Sequence, residues 1–121
     1  MSQRITIYGI KACDTMKKAR AWLDSRGIAY AFQDYKVQGI DRPALQAWVN
    51  GVGWEVLLNR AGTTFRKLPD SSRANLDAEK AMVLMLAQPS MIKRPVLQAG
   101  GALIVGFTPE RYAAVFPAPP R

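Results

Sequence analysis

Apolar and polar positions follow two different periods along this chain, and the switches between them mark its elements. Residues 4–9, Arg-Ile-Thr-Ile-Tyr-Gly, are β-branched or aromatic and close on a glycine, which predicts a short strand ending in a turn. From Thr15 to Arg26 the apolar positions Met16, Ala19 and Leu23 recur at helical spacing, while Lys17, Lys18, Arg20 and Asp24 fall elsewhere and Gly27 supplies a stop. Ala29 to Tyr35 is rich enough in aromatic residues to be a second strand.

Between about residues 38 and 88 the period is helical. Asp41 can cap a helix with Pro43 in its first turn, and Leu45, Trp48, Val49 and Val52 form one apolar stripe that Gly51 and Gly53 terminate. Trp54 to Asn59 reads as a short helical turn, residues 60–64 as loop, and Phe65 to Leu68 as another short helix. Asp77 then caps a helix through Gln88, with Ala78, Ala81, Met82, Met85 and Leu86 on its inner side. Trp48 and Trp54 are expected in the core of this stretch. After Pro89 the period of two returns. Residues 94–98 and 102–106 flank Gly100-Gly101 as a β-hairpin, and Thr108-Pro109-Glu110 opens a last helix ending near Phe116. Pro117 to Arg121, with three prolines in five residues, reads as a loose tail.

Strand, helix, strand, a helical excursion, then hairpin and helix is the order of a thioredoxin-like α/β layer with an inserted all-helical subdomain. A length of 121 residues with 49% hydrophobic content suits one domain over 1–121, with the insert at about 38–88. No secretory leader pattern opens the chain, and no apolar run approaches the roughly 20 residues that span a bilayer, so a cytoplasmic protein without a membrane anchor is expected.

Charge narrows the partners. Seventeen Lys+Arg against nine Asp+Glu give +8, a field that attracts anions. Nucleic acid, an acidic peptide such as glutathione, an oxyanion and an acidic protein face all satisfy it. No zinc-finger spacing, aromatic RNA-binding motif or phosphate loop favours nucleic acid, which is therefore not the expected partner.

The candidate chemistry sits at Cys13, the only cysteine. A cysteine after a strand and just before a helix lies where unpaired N–H groups and the helix dipole favour an anion. Free cysteines are more often small buried hydrophobes. Here the neighbours Lys11, Asp14, Thr15, Lys17 and Lys18 are too polar for a core segment, so Cys13 is expected at an exposed loop-helix junction, with the Thr15 hydroxyl and the Lys11 ammonium able to stabilise its thiolate. Met16 stands where a Cys-x-x-Cys pair would have its second thiol, so the chain cannot close its own disulfide. The absence of histidine excludes Cys–His proteolysis, and one cysteine without histidine is not a metal site. One-thiol chemistry remains, with the adduct resolved by an external thiol such as glutathione or a glutaredoxin. Arg94-Pro95 precedes the returning hairpin, where thioredoxin-like folds carry a cis-proline facing the reactive cysteine, and Arg94 would then point at the thiolate. Arg60 could supply a second anion contact.

Three separated motifs carry a family likeness: Tyr8 to Ala19 around Cys13, Asn59 to Leu68 around Arg60, and Ile92 to Leu97 around Arg94, followed by Val105-Gly106-Phe107. The chain resembles the arsenate reductase (ArsC)/Spx superfamily, most closely its YffB-like branch, over about Ile5 to Tyr112. The resemblance implies a thioredoxin fold with a helical insert, Cys13 as nucleophile, and Arg94 and Arg60 as anion-binding partners. True arsenate reductases of this family carry a third arginine after the hairpin, where this chain has Gly106-Phe107-Thr108. A phenyl ring cannot hold an oxyanion as a guanidinium does. The resemblance to the YffB-like branch instead implies an enzyme, a glutathione-dependent thiol reductase with glutathione as co-substrate, and no bound cofactor or metal is expected. Its binding residues would be Lys11, Arg60, Arg94 and Pro95. The rivals are a glutaredoxin-coupled arsenate reductase and a non-catalytic regulator that binds RNA polymerase, as Spx-like proteins do, although many of those carry a Cys-x-x-Cys switch.

Overall fold

The computed structural model describes residues 5–11 and 13–116. The expectations for Arg4 in the first strand and for the tail from Pro117 lie outside them. Two compact units divide the described residues, one formed by those up to Asp34 and from Arg94 onward and one by residues 35–93.

The first unit is a thioredoxin-like α/β layer. β1 (Ile5–Gly9) pairs in parallel with β2 (Ala31–Asp34) and antiparallel with β3 (Val96–Ala99), and β3 pairs with β4 (Ala102–Val105), giving the order β2-β1-β3-β4. The parallel pair needs a crossover, and α1 (Asp14–Ser25) supplies it. Ile7 and Leu97, direct partners in the sheet, and Ile104 turn to one face and meet Met16, Ala19 and Leu23 of α1 and Tyr112 of α8 (Pro109–Val115) in a single buried cluster. Full burial of such side chains contributes roughly 1.5–3 kcal/mol each. The hairpin closes through Gly100-Gly101 between the partners Ala99 and Ala102, and Gly100 takes φ 58°, which a side chain would strain.

α8 begins as the sequence predicts, with the Thr108 hydroxyl accepting from the Arg111 amide at 3.2 Å. The Arg111 guanidinium reaches back to donate to the Val105 carbonyl at 2.8 Å. Tyr112 is fully buried, with Trp22 and Phe107 packed edge-on to its ring; burial pushes its phenol far upward, so it stays protonated.

The second unit is helical, with α2 (Tyr35–Gln38), α3 (Arg42–Val52), α4 (Trp54–Leu57), α5 (Thr63–Arg66), α6 (Asp70–Arg73), α7 (Ala78–Ala87) and a 3₁₀ turn at Pro89–Met91. Asp41 and Asp77 cap α3 and α7 by accepting from the amides of Ala44 and Lys80, each at 2.8 Å. The stripe Leu45, Trp48 and Val49 is buried, and α3 packs on α4 and α7. The Tyr35 hydroxyl donates to the Ile92 carbonyl at 2.8 Å, tying the first residue of this unit to its last turn. Three expectations shift. The second strand ends at Asp34, because Tyr35 starts a helical turn; the short helix expected at Phe65 begins at Thr63; and α6 carried no cap or stripe to announce it. Trp54 is only half-buried, with the Arg60 guanidinium 5.7 Å over its ring, and so is not the core residue expected.

Candidate active site

The ends of β1 and β2 are adjacent, Gly9 opposite Asp34, and the chain turns from there into α1. The Cys13 amide donates to the Ile10 carbonyl at 3.1 Å, and the Lys11 amide donates to the Asp34 carboxylate at 3.3 Å, which ties the loop to the neighbouring strand. Cys13 then adopts extended backbone angles, φ −78° and ψ 132°, and becomes the N-cap of α1, its carbonyl accepting the first helical bond from Lys17 at 3.0 Å. This is the junction the sequence predicts. Cys13 is half-buried rather than exposed, its side chain lying against the edge of the sheet-helix core.

The sulfur closes no cap hydrogen bond of conventional geometry, yet the first-turn amides lie near enough to act on it. Burial pushes the thiol up. Against it work the Met16 amide, a hydrogen bond from the Arg94 guanidinium, the Thr15 amide and the positive charge of Arg94. Together they prevail, leaving the thiol below its ordinary value. The environment therefore favours thiolate, the form that attacks sulfur.

Of the residues marked in the sequence, the structure brings Cys13 and Arg94 together. Arg94 is half-buried at the start of the hairpin segment, the Arg94–Pro95 peptide is cis, and the buried Pro95 accepts from the Gly106 amide at 2.8 Å through its carbonyl. Lys11 contributes its amide to Asp34, while its side chain is exposed and is not among the groups acting on the Cys13 thiol. Thr15 acts through its amide rather than its hydroxyl. Arg60 lies in the helical unit, exposed and stacked over Trp54. Two participants escaped the sequence reading. The Met16 amide has no side-chain signature, and Asp34 passed as an ordinary strand residue, although a carboxylate closing a strand beside a reactive loop was a signal available there. Phe107 is half-buried, its ring 4.7 Å from that of Tyr112, so it faces aromatic surface and offers no charge. Among the described residues no group of His, Cys, Asp and Glu is placed to hold a metal ion, and no helix is long and apolar enough to cross a membrane.

The ArsC family model matches residues 8–115. The solved structure of a YffB protein is 63% identical, with a TM-score of 0.89, covering 91% of this chain and 96% of that one. The solution structure of an arsenate reductase (ArsC) related protein from Brucella melitensis is 59% identical, with a TM-score of 0.76 and 98% of each chain covered. The global transcriptional regulator Spx of Streptococcus mutans is 23% identical over 115 residues, spanning 93% of this chain and 83% of that protein.

Proposed function

The chain belongs to the ArsC family, and from that membership we propose that it is a glutathione-dependent thiol–disulfide reductase with Cys13 as its nucleophile. The observation that carries this reading is the setting of the sulfur, at the N-cap of α1 with the Arg94 guanidinium beside it and its thiol held below the ordinary value.

The chemistry follows from the single cysteine. The Cys13 thiolate attacks the glutathione sulfur of a mixed disulfide R–S–S–G. A Cys13–glutathione disulfide forms as the S–S bond of R–S–S–G breaks, and the departing R–S⁻ takes a proton from water. With no second thiol in the chain, a molecule of glutathione attacks the same sulfur as its thiolate, leaves as glutathione disulfide and returns Cys13 as thiolate. The sum is R–S–S–G plus glutathione giving R–SH plus glutathione disulfide. Glutathione carries two carboxylates, and the +8 charge favours its approach. In this reading the Arg94 fork and the Lys11 ammonium receive the carboxylates, and Pro95 lines the approach to the sulfur.

Turnover of a glutathionylated peptide, followed as glutathione disulfide produced, tests the reading in the protein and in Cys13→Ser. Cys13-dependent turnover is expected; equal rates in the two proteins remove the proposal. Replacing glutathione by a glutaredoxin identifies the resolving thiol. Arsenate is disfavoured by the uncharged, aromatic-packed Phe107, and glutaredoxin-coupled arsenate reduction without disulfide turnover would replace this reading.

A regulator is the second reading, favoured by the likeness to Spx and by the basic surface. Cys13 would then act as a sensor that becomes glutathionylated. Retention of RNA polymerase subunits by this protein, with no thiol turnover, is the result that selects it.

A further inference from the structure

Gly9 ends β1 beneath the reactive loop, and its φ is not positive, so backbone freedom does not account for a glycine there. Space does. A Cβ on Gly9 would stand 2.1 Å from the Met16 sulfur, 2.8 Å from its methyl carbon and 3.0 Å from its Cγ, all far inside van der Waals contact. The Met16 thioether occupies the volume that any other residue at position 9 would fill, and Met16 is fully buried.

We infer that Met16 is a positioning residue for Cys13: its side chain, seated on the bare Cα of Gly9, fixes the first turn of α1 against the end of β1 and so aims the amides of that turn at the sulfur. The inference rests on the proposed role of Cys13 as nucleophile. Counting from Cys13 as N-cap, Thr15 and Met16 are the second and third helical residues, whose N–H groups have no intrahelical acceptor and face an N-cap side chain. Both of these amides act on the Cys13 thiol, and of the two that of Met16 acts more strongly. The other buried residues of α1, Ala19 and Leu23, lie one and two turns further along. They anchor the helix to the core without fixing the turn that carries those amides. Met16 therefore occupies the place of a second thiol and serves the first one sterically, through its own backbone.

The test compares the pH dependence of Cys13 alkylation by iodoacetamide, and the urea midpoint, in the unaltered protein, Gly9→Ala, Met16→Ala, Met16→Leu and Leu23→Ala. Gly9→Ala displaces the plug and Met16→Ala deletes it; each is expected to move the alkylation midpoint upward by about half a pH unit, the scale of a first-turn helix-terminus effect. Met16→Leu, which conserves volume, should hold the midpoint near that of the unaltered protein. Leu23→Ala should lower the urea midpoint as a core truncation does, without moving the alkylation midpoint. A general loss of packing cannot produce that separation. Should Gly9→Ala fail to fold, Met16→Ala still decides the matter, since it removes atoms without adding a clash. A depressed midpoint that neither variant moves, or one that Leu23→Ala moves equally, overturns this inference alone. A profile in the unaltered protein indistinguishable from that of a free thiol removes both the proposed function and this inference.

Discussion

Replacing Arg94 by methionine keeps an unbranched side chain and removes the guanidinium that both hydrogen-bonds the Cys13 sulfur and attracts its charge. A hydrogen bond to a charged group contributes about 1.5–3 kcal/mol. Both residues are only partly buried, so water takes over some of the task, and a figure just below that range, about 1.4 kcal/mol or one pH unit, is expected. The thiol pKa rises by that amount. Below both midpoints the thiolate population then falls about tenfold. A more basic thiolate is intrinsically more nucleophilic, with a Brønsted coefficient of about 0.4–0.5, which recovers about threefold. Alkylation should therefore be roughly three- to fourfold slower at pH values below both midpoints, and about threefold faster at pH values above both, where both proteins are fully ionised. The two rate–pH curves must cross. Iodoacetamide labelling read by mass spectrometry between about pH 5 and 10 records them. Coincident curves would remove Arg94 from the site, and an Arg94→Met curve lower at every pH would mean altered access rather than altered ionisation.

Other outcomes are expected of the same molecule. Because the folded Cys13 pKa lies below its unfolded value, the unfolded chain binds more protons between the two. Its contribution to stability is fully present above the unfolded pKa and is lost as pH falls through the folded one. Unfolding free energies of the protein and Cys13→Ser, measured by urea from about pH 5.5 to 9.5, should diverge in favour of the former as pH rises; a constant difference contradicts the lowered pKa. Asp77→Ala removes the acceptor of the Lys80 amide and should cost about 1 kcal/mol, measured by the same method, with Asp77→Asn losing far less. Tyr35→Phe leaves the buried Ile92 carbonyl without the donor it has at 2.8 Å and should cost about 1–3 kcal/mol; a loss below a few tenths would show that water reaches that carbonyl.

The elements most legible in the sequence are those whose ends are enforced by local chemistry. Asp41, Asp77 and Thr108 each cap the helix they were expected to open, because an N-cap oxygen three residues from an orphan amide is a contact within one turn. The glycine pair at 100–101 set the hairpin register in the same local way. Tyr35 defeated this logic. Its aromatic ring favoured strand, but a distant carbonyl on Ile92 claims its hydroxyl and the chain there turns helical. Trp54 misled similarly, since size suggested core while the residue is only half-buried, with the Arg60 guanidinium over its ring. At the candidate site, the position of Cys13 and the partnership with Arg94 were readable from strand, helix and hairpin order. The Met16 amide was not, because a backbone N–H carries no residue-specific mark. The side chain beside it rests on a glycine seven residues away in sequence.

The Arg111 guanidinium bonded to the Val105 carbonyl has a consequence for how this molecule behaves in company. β4 is an outer strand of the sheet, and in its pairing with β3 the Val105 carbonyl points away from the hairpin, where another chain could add a strand. The strand is Ala-Leu-Ile-Val, without a charge of its own to deter such stacking. A permanent cation, lent by the following helix and anchored on the last acceptor, occupies that hydrogen-bonding position and places charge beside an apolar seam. A crowded neighbour that tried to extend the sheet would have to displace it, so α8 guards against self-association a strand whose own sequence would invite it.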